Sequence, residues 1–237
     1  MKTIMPSILG VQVDSITRAE AIARVDHMVR DGGQHIITTP NPEIIVAAQK
    51  DLEFRAILNR AALALPDGFG LMLAGRFLGT PLMERIAGSD FVREITKLAC
   101  EKKYKLYLAG GEPGVANAAA DTIISRLRNC AIVKSETEPD VEKIREEAPD
   151  ILLIALGHGK QEKWIAAHLP ELPSVKVAMG VGGAFDFIAG RVLRAPRILR
   201  RLGLEWLWRL ILQPSRLPRI WRAVIKFPIL VLRAKLQ

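Results

Sequence analysis

The chain has 237 residues, of which 49% are hydrophobic, 25% charged and 5% aromatic. This composition is too apolar for a disordered chain and suits one globular α/β unit with an appendage. No window reaches the roughly 18 uninterrupted apolar residues that a membrane-spanning helix needs. The segment from Met1 to Val13 does not resemble a signal peptide, so we expect a cytoplasmic protein.

The net charge of +9 is concentrated at the C-terminal end. From Arg191 onward, about a dozen lysines and arginines face the single acid Glu205, and such a charge run selects an acidic partner. We therefore predict a core of residues 1–190 and a basic helical appendage of residues 191–237. The two cysteines, Cys100 and Cys130, belong to no C-x-x-C or metal-binding pattern, so we predict a reducing compartment and no disulfide.

Short apolar, β-branched runs alternate along the chain with longer segments of helical period. The predicted strands cover residues 8–13, 35–39, 62–65, 105–109, 131–134, 151–155 and 176–179. The clearest helical segments between them are residues 15–30, 89–102 and 114–127. This alternation predicts an α/β fold with a mostly parallel sheet and helices on both faces. Ligands of such folds bind beyond the carboxyl ends of the strands.

The first polar loop follows residues 35–39. Thr39 and Asn41 flank Pro40, and Pro42 stiffens the far side, so two short polar groups are held beside the crevice. We predict Thr39 and Asn41 as active-site residues. The alternative is an Asx-type turn that caps a helix beginning near Glu43.

Asp67 stands between Pro66 and Gly68 at the next strand end, where its carboxylate is expected to project into the ligand crevice. We predict Asp67 as a general base. The alternative is that Asp67 is the N-cap of a helix over residues 68–77, a common position for aspartate.

Glycine-rich loops follow two later strands. Gly110 and Gly111 precede a helix, so their backbone amides are predicted to hold a diphosphate, although a turn without a ligand also explains the glycines. The loop lacks the full G-x-G-x-x-G spacing, which disfavours nicotinamide chemistry, and we predict no cofactor. Gln161, beside Lys160, is predicted to contact a sugar or a phosphate; the alternative is a solvated helix start.

Two further polar residues lie in these loops. His158 has no carboxylate or second histidine at ligand spacing, so we assign it to the loop and predict no metal. Asp186 is either a second active-site carboxylate or the cap of the helix leading to Gly190, and we favour the cap.

Residues 216–226 form an amphipathic pattern. On a helical wheel Arg216, Arg219, Arg222 and Lys226 fall within roughly 120° and apolar residues fill the opposite arc. Pro218 is tolerated only in a first turn, so the helix is predicted to begin near residue 215. Such a helix binds an anionic membrane surface, which places the protein on the inner face of the cell membrane. The alternative is packing against its own domain or another subunit of a homo-oligomer. No nucleic-acid partner is predicted, because no recognised reader motif accompanies the charges.

Eight motifs then occur in a specific order. They are Thr39-Pro40-Asn41-Pro42-Glu43, Pro66-Asp67-Gly68, Arg85-Ile86-Ala87-Gly88-Ser89-Asp90, Gly110-Gly111-Glu112-Pro113-Gly114, Lys160-Gln161-Glu162-Lys163-Trp164, Gly182-Gly183-Ala184-Phe185-Asp186, Arg194-Ala195-Pro196, and Leu202-Gly203-Leu204-Glu205-Trp206-Leu207 with Arg209, Pro214, Arg216 and Arg219. In this order they resemble the WecG/TagA/CpsF family of bacterial glycosyltransferases, nearly end to end.

The resemblance implies a Rossmann-like domain, a UDP-sugar donor, an undecaprenyl-pyrophosphate-linked sugar acceptor, and inversion without a required metal. The product would serve cell-surface polysaccharide or teichoic acid synthesis. The resemblance also implies Asp67 as the base and Thr39, Asn41 and Gln161 as active-site contacts. The arginines implied to contact the acceptor pyrophosphate are Arg209, Arg216 and Arg219.

The identity of the sugar stays open among N-acetylmannosamine, its uronic acid and neutral hexoses. One departure is visible, because Gly159 stands where the family usually has a proline, and we expect a looser loop around Gln161. Two rival hypotheses are a nucleotide-dependent oxidoreductase on the same fold and a non-catalytic membrane binder, since a fold does not determine its chemistry.

Overall fold

A parallel sheet organises the structure, a computed structural model that describes residues 6–127, 129–196, 198–199 and 202–236. In the described part of the chain, strands β3 to β8 lie side by side in the order β4-β3-β8-β7-β5-β6, and each neighbouring pair is parallel. The predicted mostly parallel sheet is therefore confirmed. The strands in chain order are β1 (Ser7–Ile8), β2 (Val11–Gln12), β3 (His35–Thr38), β4 (Leu63–Ala64), β5 (Lys105–Gly110), β6 (Ala131–Glu136), β7 (Ile151–Ala155) and β8 (Val177–Gly180).

Helices cover both faces of this sheet, as predicted. Helices α1, α5, α6 and α9 pack on one face, α7 and α8 on the other, and α2, α3 and α4 form an adjoining cluster with β1 and β2. In chain order the helices are α1 (Arg18–Asp31), α2 (Pro42–Ala48), α3 (Leu52–Asn59), α4 (Phe69–Leu78), α5 (Gly88–Lys102), α6 (Val115–Arg126), α7 (Val141–Glu147), α8 (Lys160–His168), α9 (Ala184–Ile188), α10 (Glu205–Leu212), α11 (Leu217–Trp221) and α12 (Phe227–Leu236).

The central strands are apolar on both faces because each face is covered. In β7, Ile151 and Leu153 join the cluster that contains α1 and α5, whereas Leu152 and Ile154 join the cluster of α7 and α8. This two-residue period follows from the alternation of side chains along a strand. Burial on both faces explains why the sequence shows continuous apolar runs at these strands.

All strands of the main sheet run in the same direction, so their carboxyl ends meet along one edge. The chain steps outward from β3 to β4 on one side and from β5 to β6 on the other, and β7 and β8 fill the space between. In open sheets of this kind, ligands bind where the strand order reverses. The loops after β3, β4, β5, β7 and β8 therefore lie along one edge of the sheet.

The predicted strand over residues 8–13 is wrong in its details. It forms the antiparallel hairpin of β1 and β2, outside the main sheet, with Leu9 and Gly10 at its turn. Both turn residues have positive φ angles, 52° and 77°, which tight hairpin turns require. The hairpin contributes Ile8 and Val11 to the cluster formed with α2, α3 and α4.

The prediction of no disulfide is also wrong in this structure. Cys100, in the last turn of α5, forms a disulfide with Cys130, just before β6. The 30-residue separation carried no pairing signal in the sequence. The bond joins α5 to the edge of the sheet, on the face that α5 covers.

The C-terminal region is helical, as predicted, and it packs on the core. Phe227 and Val231 are buried in the cluster shared with α2 and α4. Pro218 lies in the first turn of α11, as expected. Between α11 and α12, Arg222–Lys226 form a π-helical turn. Pro228 accounts for this turn, because proline lacks an N–H donor and crowds the carbonyl group four residues earlier.

Some predictions concern residues outside the described part of the chain. These are the first five residues of the N-terminal segment and Arg197, Arg200 and Arg201 of the basic tail. Among the helices that the structure describes, none is both long and apolar enough to cross a membrane. The domain boundary at residue 190 stays a prediction.

Candidate functional site

Asp67 and Thr39 meet at the carboxyl edge of the sheet. Asp67 follows β4, Thr39 follows β3, and the Asp67 N–H donates to the Pro40 carbonyl at 2.9 Å. A β-carbon placed on Gly88 would lie 3.3 Å from the Thr39 hydroxyl and 3.5 Å from Asp67 Oδ2. Both side chains therefore lie against Gly88, where a residue with a larger side chain would crowd them.

The carboxylate of Asp67 does not cap α4. The N-cap of α4 is Gly68, with no side-chain capping bond, and Asp67 Oδ2 instead accepts from the Gly88 N–H at 3.2 Å. Burial raises the pKa of Asp67 to about 6, and the Gly88 hydrogen bond opposes this shift. A carboxylate with that pKa is ionised at neutral pH and is basic enough to take a proton.

The segment after β3 fits against the start of α4. Asn41 is the N-cap of α2, and its Oδ1 accepts from the Ile44 N–H at 2.9 Å, so the alternative capping role is present. The Pro42 ring packs 3.2 Å from the position of a β-carbon on Gly68. The amide nitrogen of Asn41 forms no hydrogen bond within the described residues, so the predicted active-site contact of Asn41 stays a prediction.

The Gly110-Gly111 loop packs closely against the end of the neighbouring strand β7. A β-carbon on Gly110 would lie 2.6 Å from the Ala155 carbonyl oxygen, which explains the glycine. The Gly111 N–H donates to that same carbonyl at 2.8 Å. The Gly111 amide hydrogen is therefore already bonded within the sheet in this structure, and its expected contact with a diphosphate stays a prediction. Other contacts of Gly110 and Gly111 with the donor stay predictions.

Gln161 is buried under the loop that follows β8. Its Oε1 accepts from the Gly182 N–H at 3.0 Å, and its Nε2 donates to Glu162 at 2.8 Å. Gly180 leaves room for this side chain, because a β-carbon there would collide with it. The placement favours support of the loop at residues 180–183, and a direct substrate contact of Gln161 stays a prediction.

Arginines of the tail converge next to these loops. The Arg209 guanidinium lies over the Phe187 ring, 4.7 Å from its centroid, and with Arg216 it lines a small cavity. Arg216 and Arg219 line an open hollow of about 580 Å³ beyond it. Burial lowers the pKa of Arg216, and the neighbouring charges of Arg209 and Arg219 lower it further. Three cationic groups therefore share one region.

Asp186 does not cap α9, contrary to the favoured interpretation. The N-cap is Gly183, with no side-chain capping bond, and Asp186 lies in the first helical turn. Its side chain lines the small cavity together with Arg209 and Arg216. Asp186 is thus an acidic group placed among the tail arginines, which leaves the second interpretation, an active-site carboxylate, open.

Three site residues were missed by the sequence reasoning. Glu205 and Arg85 act electrostatically on Asp67, Glu205 raising its pKa and Arg85 lowering it. Glu43 contacts Arg219, with Oε1 accepting from Nε at 2.8 Å. A signal existed for all three, because each stands in one of the eight motifs and Glu205 is also the single acid of the tail.

A sequence model described as the glycosyl transferase WecG/TagA/CpsF family matches residues 6–237. The chain belongs to this family. A relative from Bacillus subtilis (strain 168) is 36% identical over 200 residues, which cover 81% of this chain and 76% of the relative. A relative from Staphylococcus aureus (strain COL) is 31% identical over 226 residues, covering 92% and 89%. Both are named N-acetylglucosaminyldiphosphoundecaprenol N-acetyl-beta-D-mannosaminyltransferase.

Membership of the WecG/TagA/CpsF family makes the chain a glycosyltransferase. The predicted enzyme class is confirmed, and the rival oxidoreductase and non-catalytic hypotheses fall. Since the match spans both the sheet and the tail, the tail helices belong to the family's common sequence and not to an unrelated extension.

Gly159, which we expect to loosen its loop, is held by a hydrogen bond in this structure, and the looser loop stays a prediction. Gly159 has a φ of 82°, which proline cannot adopt. Its N–H donates to Glu162 Oε2 at 2.6 Å, a bond that proline cannot make. In this member of the WecG/TagA/CpsF family a hydrogen bond therefore anchors the start of α8.

His158 lies in the same loop, between the tail and α2. Its ring contacts Glu43 and Arg219. Within the described residues, no three His, Cys, Asp or Glu side chains come together in a way that would hold a metal ion. Independence of metal stays a prediction.

Proposed function

We propose that the chain transfers a sugar from a UDP-sugar to a sugar linked to a polyprenyl diphosphate, with inversion at the anomeric carbon. The relatives' names support the acceptor class, since each contains N-acetylglucosaminyldiphosphoundecaprenol, and they favour N-acetylmannosamine as the transferred sugar. The family resemblance supports the UDP donor and the inversion. The product would enter cell-surface polysaccharide or teichoic acid synthesis.

The placement of Asp67 is the observation that carries this proposal. Its carboxylate lies beside Thr39 at the carboxyl edge of the sheet, and burial raises its pKa to about 6. In a single displacement, the acceptor hydroxyl oxygen attacks the anomeric carbon while Asp67 takes the hydroxyl proton. The bond between that carbon and the UDP oxygen breaks, and UDP leaves from the opposite face. General-base assistance contributes about 10²–10⁴-fold.

The tail arginines supply the positive charge that this reaction needs. Arg216 forms no ion pair with an acid in the described part of the chain, and its half-buried position strengthens its field. A guanidinium donates paired hydrogen bonds that match the oxygens of a diphosphate. Arg209, Arg216 and Arg219 are therefore proposed to bind the acceptor diphosphate, close to the carboxylate that activates the acceptor hydroxyl.

A peripheral position on the inner face of the cell membrane fits a lipid-linked acceptor. The tail presents part of its apolar arc outward, since Leu217 is 57% exposed and Trp221 is 60% exposed. An ordinary surface helix buries that arc. Exposed apolar residues beside basic ones are typical of helices that lie in the interface of an anionic membrane.

Replacing the base tests the proposal. Asp67→Asn keeps the side-chain shape, so we expect turnover to fall by at least about 10²-fold with little change in UDP affinity measured by calorimetry. The matched control is Asp140→Asn, because Asp140 caps α7 and asparagine caps a helix equally well. Nuclear magnetic resonance of the product should show an inverted anomeric centre. Near-normal turnover of Asp67→Asn, or a retained configuration, would remove this mechanism.

A further inference from the structure

One carboxylate connects the tail to the core beside the proposed site. Glu43 lies in the first turn of α2, and its side chain is only 12% exposed. Its Oε1 accepts from Arg219 Nε at 2.8 Å and lies 4.0 Å from an Arg222 nitrogen. Both arginines belong to the C-terminal helical segment, so a single acidic group of the core faces two cations of the tail.

His158 completes this cluster from a third element, the loop between β7 and α8. Its Nδ1 lies 3.2 Å from an Arg219 nitrogen, and its Nε2 lies 3.5 Å from Glu43 Oε1. A guanidinium can only donate, so Nδ1 must accept and the ring proton lies on Nε2, toward Glu43. Burial lowers the pKa of His158, which favours this neutral form, although Glu43 opposes the shift.

The cluster keeps an excess of positive charge. Among the described residues, Glu43 is the acid that contacts Arg219 and Arg222, while Arg216 lies close enough to repel Arg219. Arg219 also lines the open hollow together with Arg216. Glu43 therefore holds Arg219, which lines the space proposed for the acceptor diphosphate.

Glu43 also belongs to the turn that carries Thr39. The segment from Thr39 to Glu43 places the Thr39 hydroxyl beside Asp67 at one end and the Glu43 carboxylate against Arg219 at the other. A rigid link between the two ends is expected, because Pro40 and Pro42 restrict the backbone between them. The segment thereby fixes the position of Arg219 relative to Asp67, the proposed base.

We propose that Glu43 is a positioning residue for sugar transfer. It docks the tail helix onto the core and fixes the Arg219 guanidinium at the rim of the hollow, where an anionic diphosphate headgroup binds. This inference rests on the proposed function, because it takes the hollow as the acceptor diphosphate site. It assigns Glu43 no contact with the reacting atoms.

Steady-state kinetics with a short, water-soluble diphosphate-linked sugar acceptor test the role in binding. For Glu43→Gln we expect the acceptor KM to rise by at least about tenfold, the scale of a lost charge-assisted hydrogen bond. We expect kcat and UDP affinity to change by less than about twofold, since neither depends directly on that bond. Glu43→Asp should recover part of the acceptor affinity, because it keeps the charge.

A matched control is Glu53→Gln. Glu53 also forms an ion pair between elements, with Lys163 Nζ at 2.7 Å, but it is largely exposed and lies in α3. It should leave the acceptor KM within about twofold, as surface ion pairs contribute little. An unchanged acceptor KM in Glu43→Gln, or an equal loss of UDP affinity, would overturn the positioning role.

Hydrogen exchange of the tail tests the docking without any activity. Amides of residues 217–226 should exchange at least about fivefold faster in Glu43→Arg than in the wild type, because local opening becomes easier when docking contacts are lost. Combining Glu43→Arg with Arg219→Glu should restore protection but not the acceptor KM, since the cation has left the hollow. If the double variant does not regain protection, the pairing of Glu43 with Arg219 is overturned. This conclusion holds whether or not the variant transfers sugar to any acceptor.

Discussion

At the scale of single residues, the reactivity of Asp67 is set by neighbours from distant parts of the sequence. Burial raises its pKa, Glu205 of α10 raises it further, and Arg209 and Arg85 lower it. Glu205 and Arg209 also form an ion pair at 3.7 Å, so the tail places both signs of charge near the carboxylate. The tail thereby tunes the pKa of the proposed base, in addition to its proposed role in acceptor binding.

This arrangement predicts the pH dependence of transfer. Only the deprotonated carboxylate can accept a proton, so kcat/KM should rise with pH through a midpoint near the pKa of about 6. Glu205→Gln removes a negative charge that raises this pKa, and its midpoint should therefore move to lower pH. The check is a pH profile of both enzymes, with the exposed Glu101→Gln as control. If the midpoint of Glu205→Gln does not move, Glu205 does not influence the pKa of Asp67.

Sequence reasoning places the polar loops at the carboxyl ends of the strands, but it does not show which partner each polar atom has. Asp67 and Thr39 were predicted at the crevice and lie there together. Gly111 and Gln161 were predicted as ligand contacts, yet their amides bond to Ala155 and Gly182. A spacing pattern places a residue at a strand end, but it cannot show which neighbour satisfies its hydrogen bonds, because that depends on the three-dimensional packing.

At the scale of elements, the tail directs two of its basic residues toward the core and leaves part of its apolar arc exposed. Arg219 and Arg222 of the predicted basic arc turn toward Glu43, whereas Leu217, Trp221 and Ile225 face outward. The helical wheel predicted the two arcs but not which one faces the core. It also assumed a uniform helix, and the π-helical turn before Pro228 interrupts that period. Ion pairs with Glu43 thus accompany the orientation in which Leu217, Trp221 and Ile225 stay exposed.

We expect this outward arc to dominate membrane binding. Trp221→Ser combined with Ile225→Ser should weaken binding to vesicles containing anionic lipid by at least about tenfold, because apolar insertion is lost. The loss should persist at high salt, where surface electrostatics are screened. Charge reversal at the exposed Arg233 and Lys235 serves as the comparison, and its effect should fade with salt. Sedimentation with vesicles measures both, and unchanged binding of the Trp221 and Ile225 variant would exclude this arc as the contact.

At the scale of the whole molecule, the predicted boundary at residue 190 lies between two groups of residues that contact each other in the structure. The sheet and its two covered faces lie before this point. The tail nevertheless contributes Phe227 and Val231 to a buried cluster and holds Asp90 through a two-pronged contact from Arg194. Its charges, from Glu205 to Arg219, reach the site. A change in composition marked the boundary in the sequence, but composition does not report packing.

Two truncations separate these contributions. A chain ending at residue 190 should keep a folded sheet, because both face clusters are complete, but it should melt at a lower temperature and expose the apolar surface that Phe227 covers. It should lose transfer even with a soluble acceptor.

A chain ending at Gln213 keeps Glu205 and Arg209 and loses Arg216 and Arg219. It should retain the pH midpoint of the full chain and lose acceptor affinity by at least about tenfold, as expected when paired guanidinium contacts to a diphosphate are removed. Circular dichroism, melting curves and acceptor kinetics measure these effects. If the chain ending at residue 190 transfers sugar to the soluble acceptor at the full rate, the tail arginines do not bind the acceptor during catalysis, and the tail serves only to attach the enzyme to the membrane.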